Sequence, residues 1–148
     1  MKQITSILTV IALTVAVLLI AGCTQQSGDS ALAADYYQKL GKSQQSLANL
    51  TAAYEARSGV MMSQPEFKAW LELDRNLTTE LLTTSNETLD AGQVYLRTLK
   101  PDSQEYSTVT GNEATLRANI DVAKEKYNTA VDNYNKWWGG PDSEFVHL

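Results

Sequence analysis

The sequence predicts an all-α chain: an antiparallel bundle of three long helices, or four if the second breaks, behind an N-terminal signal or anchor segment. Three observations carry this. The only prolines are Pro65, Pro101 and Pro141, and the stretches they delimit are long and rich in Ala, Leu, Gln, Glu, Lys and Thr. Apolar residues there recur at spacings of three and four, and β-branched alternation is nearly absent. Each stretch opens on a capping residue and closes on glycine or proline.

The N-terminal segment comes first. Residues 4–21 carry no charge, and Lys2 precedes them. The apolar core from Val10 to Ile20 suits a secretory signal and is short for a membrane span. Counted from Ile4, the run would just cross a bilayer if left uncut. Small Ala21 and Gly22 stand directly before Cys23, the only cysteine of the chain. A lone thiol forms no intrachain disulfide, and one soft ligand builds no metal site.

The segment Leu19-Ile20-Ala21-Gly22-Cys23 resembles the lipobox of bacterial-type lipoproteins. The resemblance implies that residues 1–22 are a signal peptide cut before Cys23, whose sulfur carries a diacylglyceryl group. Two acyl chains anchor stably where one is marginal. Left uncut, the same residues would serve as a membrane anchor. Both readings give the bilayer as a partner, through Cys23 or residues 4–22. Both place the rest of the chain outside the cytoplasm, at the surface or in the periplasm.

Residues 23–30 read as the lipidated cysteine and a small, polar, flexible tether. The helical domain covers 31–138. Its first helix is expected over about 31–58, capped by Asp29 or Ser30 and ended by Gly59. Tyr36, Leu40, Ser43, Leu47, Leu50 and Tyr54 form its inner stripe. Ser63 and Glu66 have capping-box spacing, and Pro65 falls in the first turn of the second helix. Phe67, Trp70, Leu73, Leu77 and Leu81 are its expected stripe, with Leu82, Leu89, Leu96 and Leu99 displaced around it. Thr83-Thr84-Ser85 and Gly92 lower helix propensity and make a bend plausible. Asp102 and Glu105 repeat the capping-box spacing, which makes Asp102 the expected cap of the third helix. There Val109, Leu116, Ile120, Ala123, Tyr127, Ala130, Tyr134 and Trp137 keep a 3/4 alternation, with Glu113 out of character. Residues 139–148 read as a flexible tail.

From Cys23 onward the chain holds 11 basic and 17 acidic residues, a net charge of −6. That balance argues against nucleic acid, whose binding needs a cationic patch. No Ser/His/Asp set, Cys/His cluster, phosphate loop or calcium loop occurs, so no catalytic residue, metal or cofactor is expected. His147 is the only histidine and lies in the tail. Glu113 is expected to snorkel at the bundle end or pair with Arg117. Two buried carboxylates facing each other would be needed for an enzyme.

Tyr127, Tyr134 and Trp137 are expected in the core, and Trp138, off their stripe, in solvent. With three antiparallel helices this end lies far from Cys23. Trp137 and Trp138 are therefore the candidate contacts for a partner, an unidentified protein or a glycan. Asn49, Asn76 and Asn86 head N-glycosylation sequons, relevant only in a host that glycosylates its surface proteins.

The run Asn119-Ile120-Asp121-Val122-Ala123-Lys124, then Tyr127-Asn128-Thr129-Ala130-Val131 and Tyr134-Asn135, resembles the C-terminal helix of LemA-family proteins. The resemblance implies a membrane segment followed by long extracytoplasmic helices, and it carries no catalytic residues. The family's N-terminal Tyr-Asn and Ile-Pro-Asn-Leu segments have no counterpart here. The expected function is a membrane-anchored lipoprotein whose bundle is a structural or protein-interaction module. The alternative is a small-ligand-binding or envelope-sensing subunit of a membrane complex, which a pocket beside the Thr-rich part of the second helix would favour.

Overall fold

The computed structural model describes residues 29–138 and 145–148. Cys23, the segment before it, residues 24–28 and residues 139–144 lie outside the described residues. Three helices follow one another: α1 (Ser30–Arg57), α2 (Gln64–Leu96) and α3 (Gln104–Trp137). Short connections make them antiparallel, and α2 packs against both neighbours. At 1.5 Å rise per residue, the 33 residues of α2 span about 50 Å. None of the described helices is long and apolar enough to cross a membrane.

Local chemistry sets the helix ends. Asp29 accepts from the N–H groups of Ala31 and Leu32, satisfying two otherwise unpaired donors. Gly59, at φ 77°, takes the left-handed conformation just past α1, where a side chain would be strained. Glu66 accepts from the Ser63 N–H at 2.8 Å, and this bond together with one from the Ser63 hydroxyl holds its carboxyl below the usual range. The cap of α3 departs from expectation. Ser103, not Asp102, accepts from the Tyr106 N–H at 3.1 Å. The Glu105 carboxylate is engaged elsewhere: it accepts from the hydroxyls of Tyr37 at 2.8 Å and Tyr95 at 3.2 Å. Those bonds tie all three helices together at the end where α1 begins.

The seam of α2 also departs from the Leu73–Leu77 stripe. Buried positions run Phe67, Leu71, Asp74, Thr78, Leu81, Ser85, Thr88, Gly92 and Tyr95, an unbroken 4/3 alternation. Leu73 is 48 % exposed and Leu77 is half-buried. The true seam was hidden because five of its nine positions are polar or glycine. Those residues are buried because each finds a partner or makes room for one. α2 itself is unbroken through Thr83–Gly92, so no fourth helix forms.

The polar positions divide the core into three apolar clusters. One, near the start of α1, gathers Tyr36, Leu40, Leu89, Tyr95, Val109 and Leu116. The middle one is small: Leu50, Leu81 and Ala123. The third joins Phe67, Trp70, Leu71, Tyr127, Val131 and Tyr134 at the far end. Between the first two, the buried hydroxyls of Ser43 and Ser85 lie 2.7 Å apart. Between the middle and far clusters sit Asp74 and Thr78.

The last four residues are not a loose end. Phe145 is 2 % exposed and meets Tyr134 edge-on at 5.2 Å. The Leu148 N–H donates to the Asn128 amide oxygen at 2.9 Å, and His147 pairs with Asp132 at 2.8 Å. This corrects the reading of the tail end as flexible. One aromatic ring finds a gap beside Tyr134, and the Asn128–Leu148 bond adds a second tie. The exposed His147–Asp132 pair adds little.

Candidate interaction tip

Asp29 lies beside the α2–α3 connection, where its N–H donates to the Thr98 hydroxyl at 3.4 Å. The opposite end of the rod carries the α1–α2 connection and the end of α3. An open cleft of about 290 Å³ lies there. Arg57, at the last turn of α1, and Val60 and Met62 from the connection line one side. Phe67, Asn133, Trp137 and Trp138 line the other. The two tryptophans singled out from the sequence therefore share one site at the end expected for them.

Trp138 is exposed as expected, at 40 %, but Trp137, expected in the core, is exposed as well. Trp137 is 69 % exposed, whereas Trp138 is the more covered, with its ring 5.6 Å from Phe67 and 5.9 Å from Tyr134. The cause is the helix end. Trp138 leaves helical geometry at φ −138°, although its N–H still donates to the Tyr134 carbonyl, and the ring folds back onto the far cluster. Trp137 is the last helical residue and points away. Met61, 98 % exposed, and Val60, 55 % exposed, extend the apolar surface along the connection. A polar connection would be the default, so an exposed Val60-Met61 is the sequence signal that was missed.

Arg57 was missed as well. Its guanidinium lies 3.8 Å over the Trp70 ring and 4.5 Å over Phe67. Among the described residues it forms no ion pair. Burial lowers its pKa, yet a guanidinium stays charged in proteins. The cleft floor is thus a cation resting on aromatic faces, a contact strengthened by partial desolvation.

Beneath it lies a buried carboxylate. Trp70 meets Tyr54 edge-on at 5.3 Å, and the Tyr54 hydroxyl donates to Asp74 at 2.7 Å. The Thr78 hydroxyl donates to the other Asp74 oxygen at 3.1 Å. Burial raises the Asp74 pKa above the ordinary carboxylate value, against the lowering pull of those bonds and of Arg57 and Lys126. Ionised Asp74 therefore disfavours the fold at neutral pH, and that penalty disappears as pH falls to its ordinary value of 3.8. Asp74→Asn is expected to melt above the unmodified chain at pH 7, with the gap closing towards that pH. A variant that melts lower by the same margin at every pH would contradict this.

The second buried carboxylate, Glu113, neither snorkels nor pairs with Arg117. It is 7 % exposed and accepts both bonds from the Gln93 amide, at 3.1 and 2.8 Å. Gly92 leaves the space: a Cβ there would stand 2.7 Å from the Glu113 oxygen and 3.2 Å from the Tyr36 ring. Asp74 and Gly92 are separated by about 27 Å along α2, so the two carboxylates do not face each other.

The Thr-rich part of α2 packs closed. Thr83, Thr84 and Thr88 donate to carbonyls of their own helix, and Ser85 meets Ser43. Asn49, Asn76 and Asn86 are exposed, but all three sequons lie within helices. Their Thr51, Thr78 and Thr88 hydroxyls are already bonded, and Thr78 and Thr88 are fully buried. Among the described residues no group of three His, Cys, Asp or Glu side chains is placed to hold a metal ion. The chain matches no known family model, no curated protein and no solved structure.

Proposed function

We propose that this chain is a lipid-anchored extracytoplasmic module that works by holding an aromatic tip away from the membrane for a protein partner. One observation carries the reading. Trp137, Trp138, Val60 and Met61 gather at the end of a 50 Å-scale rod opposite Asp29, and Asp29 follows Cys23 by six residues. Trp, Met and Arg are the residue types that protein interfaces concentrate at their centres. A flexible tether and a stiff bundle suit presentation rather than catalysis. The likeness to LemA-family chains supports the outline of a membrane segment followed by long helices. Within it, Tyr127 and Tyr134 also have a packing role, since both are buried.

The anchor is tested by Cys23→Ser. The unmodified chain is expected in the membrane fraction, with a mature mass that starts at residue 23 and includes acyl chains. The variant is expected to lose that mass and to remain as an uncut precursor or leave the membrane. An unchanged mass and unchanged membrane association would refute lipidation.

A further inference from the structure

The tip cleft combines two features that together specify the chemistry of an occupant. The first is apolar: Trp137 and Val60 are exposed where they line the cleft, with exposed Met61 next to Val60 in the chain, and hydrocarbon left in water at the rim of a concave site is the usual mark of a docking surface. The second is ionic. The Arg57 guanidinium carbon lies 3.8 Å over the Trp70 ring, and the group forms no ion pair among the described residues. Among the described residues no acidic side chain lines the cleft. A guanidinium held over aromatic rings matches a carboxylate in bidentate fashion. Asn133 also lines the cleft and brings an amide to it.

We infer that the cleft takes an acidic–apolar peptide segment of a partner protein, with a carboxylate on Arg57 and a neighbouring aromatic or aliphatic side chain against Trp137 and Trp138. The inference rests on the tip being the interaction end, and it specifies the partner. A basic segment would meet Arg57 and Lys136, whose ammonium lies 5.5 Å from the Trp137 ring, and be repelled. A purely apolar segment would bury the guanidinium edge without giving it a carboxylate to bond. The cleft holds roughly one or two side chains, so a short motif suffices to fill it.

The test pans random dodecamer peptides displayed on phage against the full chain in lipid nanodiscs, with empty nanodiscs as counter-selection. Enriched sequences are expected to carry Asp or Glu within three residues of Phe, Trp, Leu or Ile. Synthetic copies are expected to lose about tenfold or more in affinity when the acid becomes its amide, and as much against Arg57→Gln. Trp137→Ala, at a solvent-exposed position that leaves the fold intact, is expected to weaken them similarly without lowering the melting temperature. No enrichment, an enriched basic or uncharged motif, or binding that survives both variants would overturn the inference. Binding of an acidic oligosaccharide probe such as trigalacturonate, with no peptide enriched, would assign the cleft to glycans and overturn it too. The two readings fail separately. A chain that binds these peptides but is not acylated at Cys23 loses only its anchor, and an acylated chain that binds none loses only this partner.

Discussion

Leu71→Ala is expected to cost about 2–5 kcal/mol of unfolding free energy, and Leu73→Ala, two residues on, less than about 0.5 kcal/mol. The residue types are the same and so is the helix. Burial differs: Leu71 is fully buried in the far cluster, whereas Leu73 is 48 % exposed. Removing Leu71 leaves a cavity among Phe67, Trp70 and Tyr127, whose rings are too constrained to collapse into it. At Leu73 alanine gives up little burial and gains slightly in helix propensity. Urea unfolding of both variants measures the difference. Equal losses, or a larger loss at Leu73, would mean that α2 packs through the leucine stripe and not through Leu71, Asp74 and Thr78.

Gly92→Leu is expected to be as damaging, by about 3 kcal/mol or more. Overpacking alone costs about 1–3 kcal/mol. A Cβ at this position already stands 2.7 Å from the Glu113 carboxylate, and the rest of the side chain meets Tyr36, which is fully buried. Displacing Glu113 breaks its two bonds from Gln93 and strands a charged group inside, a further loss that exceeds the 1–3 kcal/mol of a neutral orphan. The gain in helix propensity on replacing glycine, about 1 kcal/mol or less, does not offset this. Combining Gly92→Leu with Glu113→Ala is expected to recover much of the loss, because the two side chains compete for one volume. Strict additivity of the two single variants would show that Gly92 matters for another reason.

These two cases mark where the sequence was readable. Signals that act within a few residues were plain: the Asp29 cap, the Ser63–Glu66 box and the Gly59 stop all sit where the pattern put them. So was α3, whose seam is almost wholly apolar apart from Glu113. The seam of α2 was not, since Asp74, Thr78, Ser85 and Thr88 look like surface residues until their partners, on α1 for Asp74 and Ser85 and within α2 for Thr78 and Thr88, are known. Tyr54 reaches Asp74 across 20 residues of chain and Ser43 reaches Ser85 across 42, separations that no periodicity encodes. Asp102 lost its capping role to Ser103 for the same reason, because the hydroxyls of Tyr37 and Tyr95 occupy Glu105.

The site divides in the same way. The end of the rod carrying the tryptophans followed from counting helices. The exposure of Trp137 did not, because its 3/4 spacing continues the buried stripe past the point where the neighbouring helices cover it. Arg57 was invisible as a site residue: its aromatic bed combines Phe67 and Trp70 from the next helix. Phe145 was read as tail because the gap beside Tyr134 exists only in the folded bundle.

The central proposal, that the tip far from Cys23 is where this chain meets its partner, is tested most directly by site-specific photo-crosslinking in intact membranes. Benzoylphenylalanine placed at Trp137 is expected to give one discrete adduct, which Arg57→Gln abolishes. The same probe at Asp121, exposed midway along α3, is expected to give none. Equal adducts at both positions, or an adduct from Asp121 alone, would place the working surface on the side of the rod and contradict the proposal.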